Sequence, residues 1–221
     1  RLCRDWSSDV CSSDLGYRYH FTLYPMEDHV AMAMQGKFAD SVAHMVTDVR
    51  KADPGHISFS WYPQLERPDL GVGPHRVWWI SGLSATSEAA SRRGAVATVE
   101  ARSWARPDVP HRVRRSGGFV LSFRPTPGVY AEQTWQPERE IGAQPRMTLE
   151  LTGVAGLTVD IARAGLAALS HSTIAVTSDS CAHITLEGLP HSTDVRCDGQ
   201  RVSGTIVLTK GRHRITLTGK R

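Results

Sequence analysis

From Gly55 onwards the chain is a succession of short β-branched and aromatic runs broken at close intervals by Gly, Pro, Ser or Asp, and this texture limits the possible folds more than any other feature. Runs of this kind with turn residues between them specify strands, and a long series of them specifies a β-sandwich. Strands are expected near 56–62, 76–83, 95–103, 118–124 and 129–135, with a second series near 147–151, 157–161, 173–177, 183–187, 193–197, 205–208 and 213–218. The segment 162–169 reads as one helical turn or as a loop. Two prolines and no apolar pattern at 136–146 suggest a boundary there. The expected division is therefore a β-sandwich over 54–140 and a second β unit over 141–221, with one larger sandwich as the alternative. The run TIVLTKGRHRITLT is expected to close as a hairpin with Lys210-Gly211 in its turn.

The segment before Gly55 has a different texture. YRYHFTLY at 17–24 alternates like a strand and stops at Pro25. After a short turn, Met34, Phe38, Val42, Met45 and Val49 recur at spacings of four, four, three and four, which makes one face of an amphipathic helix over about 30–51. Asp53-Pro54-Gly55 ends it.

The first fifteen residues stand apart from both regions. DWSSDVCSSDL at 5–15 resembles, residue for residue, the translation of a short-read sequencing adapter, so 1–15 is set aside as an artefact before any fold is assigned. Without Arg1, Arg4, Asp5, Asp9 and Asp14, the 26 basic and 22 acidic side chains become 24 and 19, a balance of +5 with His neutral. Apart from the short stretch His111 to Arg115 and the tail Lys210 to Arg221, the basic residues are scattered, and no aromatic platform is interleaved with them, which argues against a nucleic-acid partner. No apolar run approaches the ~20 residues of a membrane span. Cys3 and Cys11 fall in the same segment, leaving Cys181 and Cys197, too few for a metal framework without matching His spacing. Neither phosphate-loop signature occurs, and no cofactor is expected.

The order strand, short loop ending in Asp28-His29, then long amphipathic helix resembles the C-terminal end of an α/β-hydrolase of the esterase or prolyl-oligopeptidase kind. In that family the last sheet strand leads to the catalytic histidine, and a final helix packs back on the sheet. The resemblance covers about 17–51. It implies that 16–53 is the remnant of a hydrolase domain and that His29 is its general base and then general acid. The family's chain order is serine, acid, histidine, so the nucleophile and the acid would lie upstream. No Gly-x-Ser-x-Gly follows Leu15; Gly82-Leu83-Ser84 comes nearest and lacks the closing glycine. The other reading of His29 is a helix-start residue facing a backbone group or water. Glu27 and Asp28 read as helix-start charges that favour the positive end of the helix dipole.

The stretch 62–83 resembles the start of the β-rich extension that follows the hydrolase domain in some actinobacterial secreted enzymes. Trp78 and Trp79 are expected on adjacent strand positions, one buried and one outward, where an exposed ring could stack on a sugar. Cys181 and Cys197 flank an expected hairpin; a disulfide between them would suit an exported protein and is preferred over two reduced thiols. The remaining histidines show no metal-ligand spacing.

The sequence thus leads to a mainly β chain: a β-sandwich extension preceded by a strand-loop-helix remnant of an α/β-hydrolase. It would be secreted or held at the cell surface, act on a small-molecule, peptide or polymer substrate through the hydrolase domain, and be inactive by itself. The alternative is a non-catalytic cell-surface or carbohydrate-binding β protein.

Overall fold

The computed structural model describes residues 19–23, 29–34, 36, 42, 51–74, 76–106, 111–120, 128–139 and 141–219. The adapter-like segment 1–15 and most of the expected helix beyond Met34 lie outside the described residues. Along the chain come β1 (Tyr19–Leu23), α1 (His29–Met34), β2 (His56–Trp61), β3 (Arg76–Val77), β4 (Ile80–Ala85), α2 (Ser87–Ser91), β5 (Ala97–Ser103), β6 (His111–Val120) and β7 (Gly128–Pro137). There follow β8 (Arg146–Thr152), β9 (Val154–Asp160), β10 (His171–Ser178), β11 (Ala182–Glu187), β12 (Thr193–Cys197), β13 (Gln200–Arg201), β14 (Ile206–Leu208) and β15 (Gly211–Gly219). The chain is mainly β, and 162–169 is a run of turns without a helix.

Two units divide the chain: residues 1–50 with 109–140, and residues 51–108 with 141–221. The first contains a three-stranded antiparallel sheet in the order β1-β7-β6. The second contains a seven-stranded sheet, β13-β12-β15-β10-β8-β5-β2, and a five-stranded sheet, β14-β11-β9-β4-β3. Both sheets of the second unit are mixed, with β8 parallel to β10 and β9 parallel to β11. The strands 56–62 and 95–103 share a sheet with those after 141, so the division at 140 does not follow the sheets, and 109–140 belongs to the other unit.

Period-two patterning builds this sandwich. β8 alternates so that Met147, Leu149 and Leu151 are buried while Thr148 and Glu150 are exposed, because successive side chains of a strand point to opposite faces. Ile57, Val99, Ala101, Leu149, Ile174 and Ile215 from the larger sheet join Ile80, Leu157, Val159, Ile184, Ile206 and Leu208 from the smaller in a single buried cluster. Each of the larger aliphatic side chains contributes about 1.5–3 kcal/mol by leaving water.

Three sequence expectations do not hold in the fold. The segment 205–218 is not a hairpin: β14 pairs with β11 in one sheet, while β15 pairs with β10 and β12 in the other. Alternation shows only that a strand has one buried face. Ile206 and Leu208 meet the same core as Ile215 and Leu217, but from the opposite sheet. Likewise Cys181 precedes β11 in the five-stranded sheet and Cys197 ends β12 in the seven-stranded one, so no hairpin joins them and both thiols are free. Trp78 and Trp79 occupy the two-residue turn between β3 and β4, and not successive strand positions.

Candidate functional site

His29, the residue the sequence singles out for catalysis, is the first residue of α1; its side chain and residues 24–28 lie outside the described residues. β1 pairs antiparallel with β7, from Tyr19 opposite Gln133 to Leu23 opposite Val129. Its other edge pairs with no strand among the described residues. The register places Phe21 and Leu23 on the same face of this sheet as Val129, Phe119, Val113 and Trp135, and all six are exposed. Ser84, the nearest approach to a nucleophile motif, lies within β4 opposite Gly156, beside an irregularity in the β4–β9 register. It is not on the sharp strand-to-helix turn that a nucleophile elbow needs.

The indole pair does not offer an open sugar platform. Trp79 is buried and its Nε1–H donates to the Pro54 carbonyl at 2.8 Å. Trp78 is half-buried against the core with φ of +52°, a conformation rare for a bulky residue. Arg163 holds that conformation: its Nη1 donates to the Trp78 carbonyl at 2.7 Å while its Nε donates to Asp53 at 2.8 Å. This group is a clamp on the turn.

The described residues bring together one cluster of chemically distinct ligating groups that sequence spacing did not reveal: Cys197, Asp198 and His213. Asp198-Gly199 forms the two-residue turn between β12 and β13, with Cys197 opposite Gln200 and φ values of +50° and +84°. Positive φ at both central residues is the Asp-Gly signature of a type I′ hairpin. β12 lies beside β15 with Cys197 opposite Ile215, which carries the turn past Arg214 and His213. The Asp198 N–H donates to the Arg214 carbonyl at 2.9 Å, and the Arg214 N–H donates back to Asp198 Oδ1 at 2.8 Å.

The second carboxylate oxygen faces the imidazole, with His213 Nδ1 at 2.7 Å from Asp198 Oδ2. On the far side of the ring, Nε2 lies 3.0 Å from the Thr209 carbonyl, which can only accept, so Nε2 carries a hydrogen. The Asp198 hydrogen bond raises the His213 pKa, against burial, and the same bond is the largest cause holding the Asp198 carboxyl below its ordinary value. Cys197 Sγ lies 3.9 Å from Asp198 Oδ2. Burial first, and the neighbouring Asp198 charge second, push its thiol up.

This arrangement lacks the chemistry of a cysteine nucleophile, which needs a lowered pKa and a base at the sulfur. Here the sulfur's neighbour is a carboxylate. What the three residues do offer is a sulfur, an oxygen and a nitrogen donor, all within 4.8 Å of one another. They line a depression of about 390 Å³ together with Gln200, Ser203 and Thr205. The expectation of no metal framework counted cysteine and histidine spacings only. The legible signal was Cys-Asp-Gly, an I′ turn that aims a carboxylate sideways at the next strand.

The other histidines are dispersed. His56 pairs with Glu100 across β2 and β5, and His111 stacks on Trp135 at 4.1 Å between ring centres. His183 and His171 make single contacts, to the Ala155 carbonyl and the Thr218 hydroxyl. His44 and His75 lie outside the described residues. No helix among the described residues is long and apolar enough to cross a membrane.

Comparison with protein-family models, curated proteins and solved structures finds no match to the chain.

Proposed function

We propose that this chain is the C-terminal part of a serine hydrolase, in which His29 serves acyl transfer to water as base and then acid and the sandwich is an appended module. The observation that carries the reading is β1 with its open edge. A strand with exposed Phe21 and Leu23, and with no strand on one side among the described residues, is a poor end to a sheet, because an open edge leaves backbone N–H and C=O groups and apolar side chains in water. A larger sheet pairing with that edge removes both costs. The chain order supports the same reading: β1 ends at Leu23 and is followed, after five residues, by α1, which opens at His29. The substrate would be an ester or a peptide. Export to the cell exterior goes with this proposal as the setting of the secreted enzymes that the segment 62–83 resembles.

The test is to recover the reading frame upstream of Gly16, express the whole protein, and measure hydrolysis of a p-nitrophenyl ester with labelling by a fluorophosphonate. A Gly-x-Ser-x-Gly motif followed by an acidic loop residue is expected upstream. His29→Ala should lower kcat by roughly 10⁶-fold, as loss of the triad histidine does, with the thermal midpoint unchanged. An upstream sequence without a nucleophile motif, or a His29→Ala protein of undiminished activity, overturns the proposal.

A further inference from the structure

Cys197, Asp198 and His213 form a group that the hydrolase reading does not use. We propose that they bind a single borderline transition-metal dication of the Zn²⁺ class, with the fourth coordination position open to solvent. The donor set selects the ion. A thiolate and an imidazole favour Zn²⁺ and its first-row neighbours, and disfavour Ca²⁺ and Mg²⁺, which take all-oxygen shells.

Two of the three ligand-to-ligand edges are close to what such an ion requires, and the third lies within 4.8 Å. Tetrahedral Zn²⁺ with bonds of about 2.0–2.3 Å places its N and O ligands roughly 3.3 Å apart and its S and O ligands roughly 3.6 Å apart. Nδ1 and Oδ2 are 2.7 Å apart, and Sγ and Oδ2 are 3.9 Å apart. Side-chain rotations of about half an ångström bring both pairs to the tetrahedral edge.

The ring is also supported as metal ligands are. Nε2–H donates to the Thr209 carbonyl, which fixes the tautomer and turns Nδ1 toward Cys197 and Asp198. The turn that carries Asp198 is tied to β15 through both hydrogen bonds with Arg214, so the backbone of the site is set by the sheet before any ion arrives. Gln200, Ser203 and Thr205 line the same depression. These can hydrogen-bond a metal-bound water without competing for the ion. Binding takes the Cys197 thiolate and the Nδ1 lone pair of His213, so any proton those atoms hold leaves as the dication enters.

The experiment uses the full chain with Cys3→Ser, Cys11→Ser and Cys181→Ser, which leaves Cys197 as the sole thiol, titrated with Co²⁺ under anaerobic conditions. Saturation at one equivalent is expected, with sulfur-to-cobalt charge-transfer absorption in the near ultraviolet and the visible bands of four-coordinate Co²⁺, all abolished by excess Zn²⁺. His213→Ala should weaken binding at least tenfold, and Cys197→Ser should remove the charge-transfer band. If His213→Ala does not fold, Asp198→Asn decides in its place: it keeps an oxygen for the Arg214 N–H but gives up the anionic ligand, so the same weakening is expected. Absence of the charge-transfer band, or affinity unchanged in the folded variants, overturns the proposal. None of these readouts depends on hydrolytic activity, so failure here leaves the hydrolase reading standing, and the reverse holds too.

Discussion

Gly153 takes the chain from the end of β8 in the larger sheet to the start of β9 in the smaller one, a change of sheet made in one residue. Its φ is +63°, and its N–H donates to both oxygens of Asp179, at 2.9 and 3.1 Å. A Cβ there would stand 3.2 Å from the Ala89 methyl. Gly153→Ala should therefore cost about 1–2 kcal/mol for the left-handed backbone alone, seen as a thermal midpoint several degrees lower; an unchanged midpoint would show that the corner relaxes. Glu100 makes a second prediction at this scale. Burial opposes its charge, but hydrogen bonds from His56 and Ser58 and the nearby positive charges of His56 and Arg102 hold its carboxyl below the ordinary value. A lowered folded pKa gives stability that is present above the unfolded carboxylate range, about pH 4.3, and lost as pH falls through the folded value. Between pH 7 and pH 3 the wild type should lose more stability than Glu100→Gln, as read by urea unfolding at each pH; equal losses would remove the pair from the account. Residues of this kind were only half legible. Asp198-Gly199 announces its turn in the sequence, but Trp78 at positive φ does not, because Arg163 enforces that conformation from 85 residues away.

Among the elements, β8 and β14 show how the same alternation has different energetic weight on its two faces. Leu149 is buried in the centre of the seven-stranded sheet, whereas Val207 on β14 is 67% exposed. Leu149→Ala should cost about 2–5 kcal/mol through lost transfer energy and the cavity left behind, while Val207→Ala should stay within about 0.5 kcal/mol. Chemical denaturation of the two variants distinguishes these outcomes, and similar losses at both sites would contradict the burial assignment. Most strands after Gly55 were legible to within a few residues, since a half-buried strand must alternate wherever it sits. The strand expected at 118–124 begins earlier, with β6 starting at His111, where the run of basic residues conceals the pattern; 121–124 lie outside the described residues. Partnership was not legible either. β14 with β15, and β11 with β12, look like hairpins in sequence and are crossovers between sheets in the fold.

For the whole molecule, the two units differ in how much apolar surface they cover. The sandwich buries a continuous core, while Phe21, Leu23, Phe119 and Val129 of the three-stranded sheet are exposed. Amide hydrogen exchange should be slowest in β8, β10 and β15 and fast throughout β1, β6 and β7, because a sheet with few buried contacts opens at low cost. Uniform protection across both units would refute this. The exposed face should also drive concentration-dependent association, which Phe119→Lys should reduce in sedimentation velocity runs. The amino-acid sequence alone determined that the chain is mainly β and, to within a few residues, where most strands after Gly55 lie, because alternation and turn chemistry are local. Only the tertiary structure decided that one sandwich is assembled from segments on either side of the β6–β7 hairpin, that Cys181 and Cys197 lie in different sheets, and that Cys197 and Asp198 meet His213. These depend on which strands pair and in what register, and pairing is set by how the apolar faces of two sheets close over one core, a global condition that no local run of residues encodes.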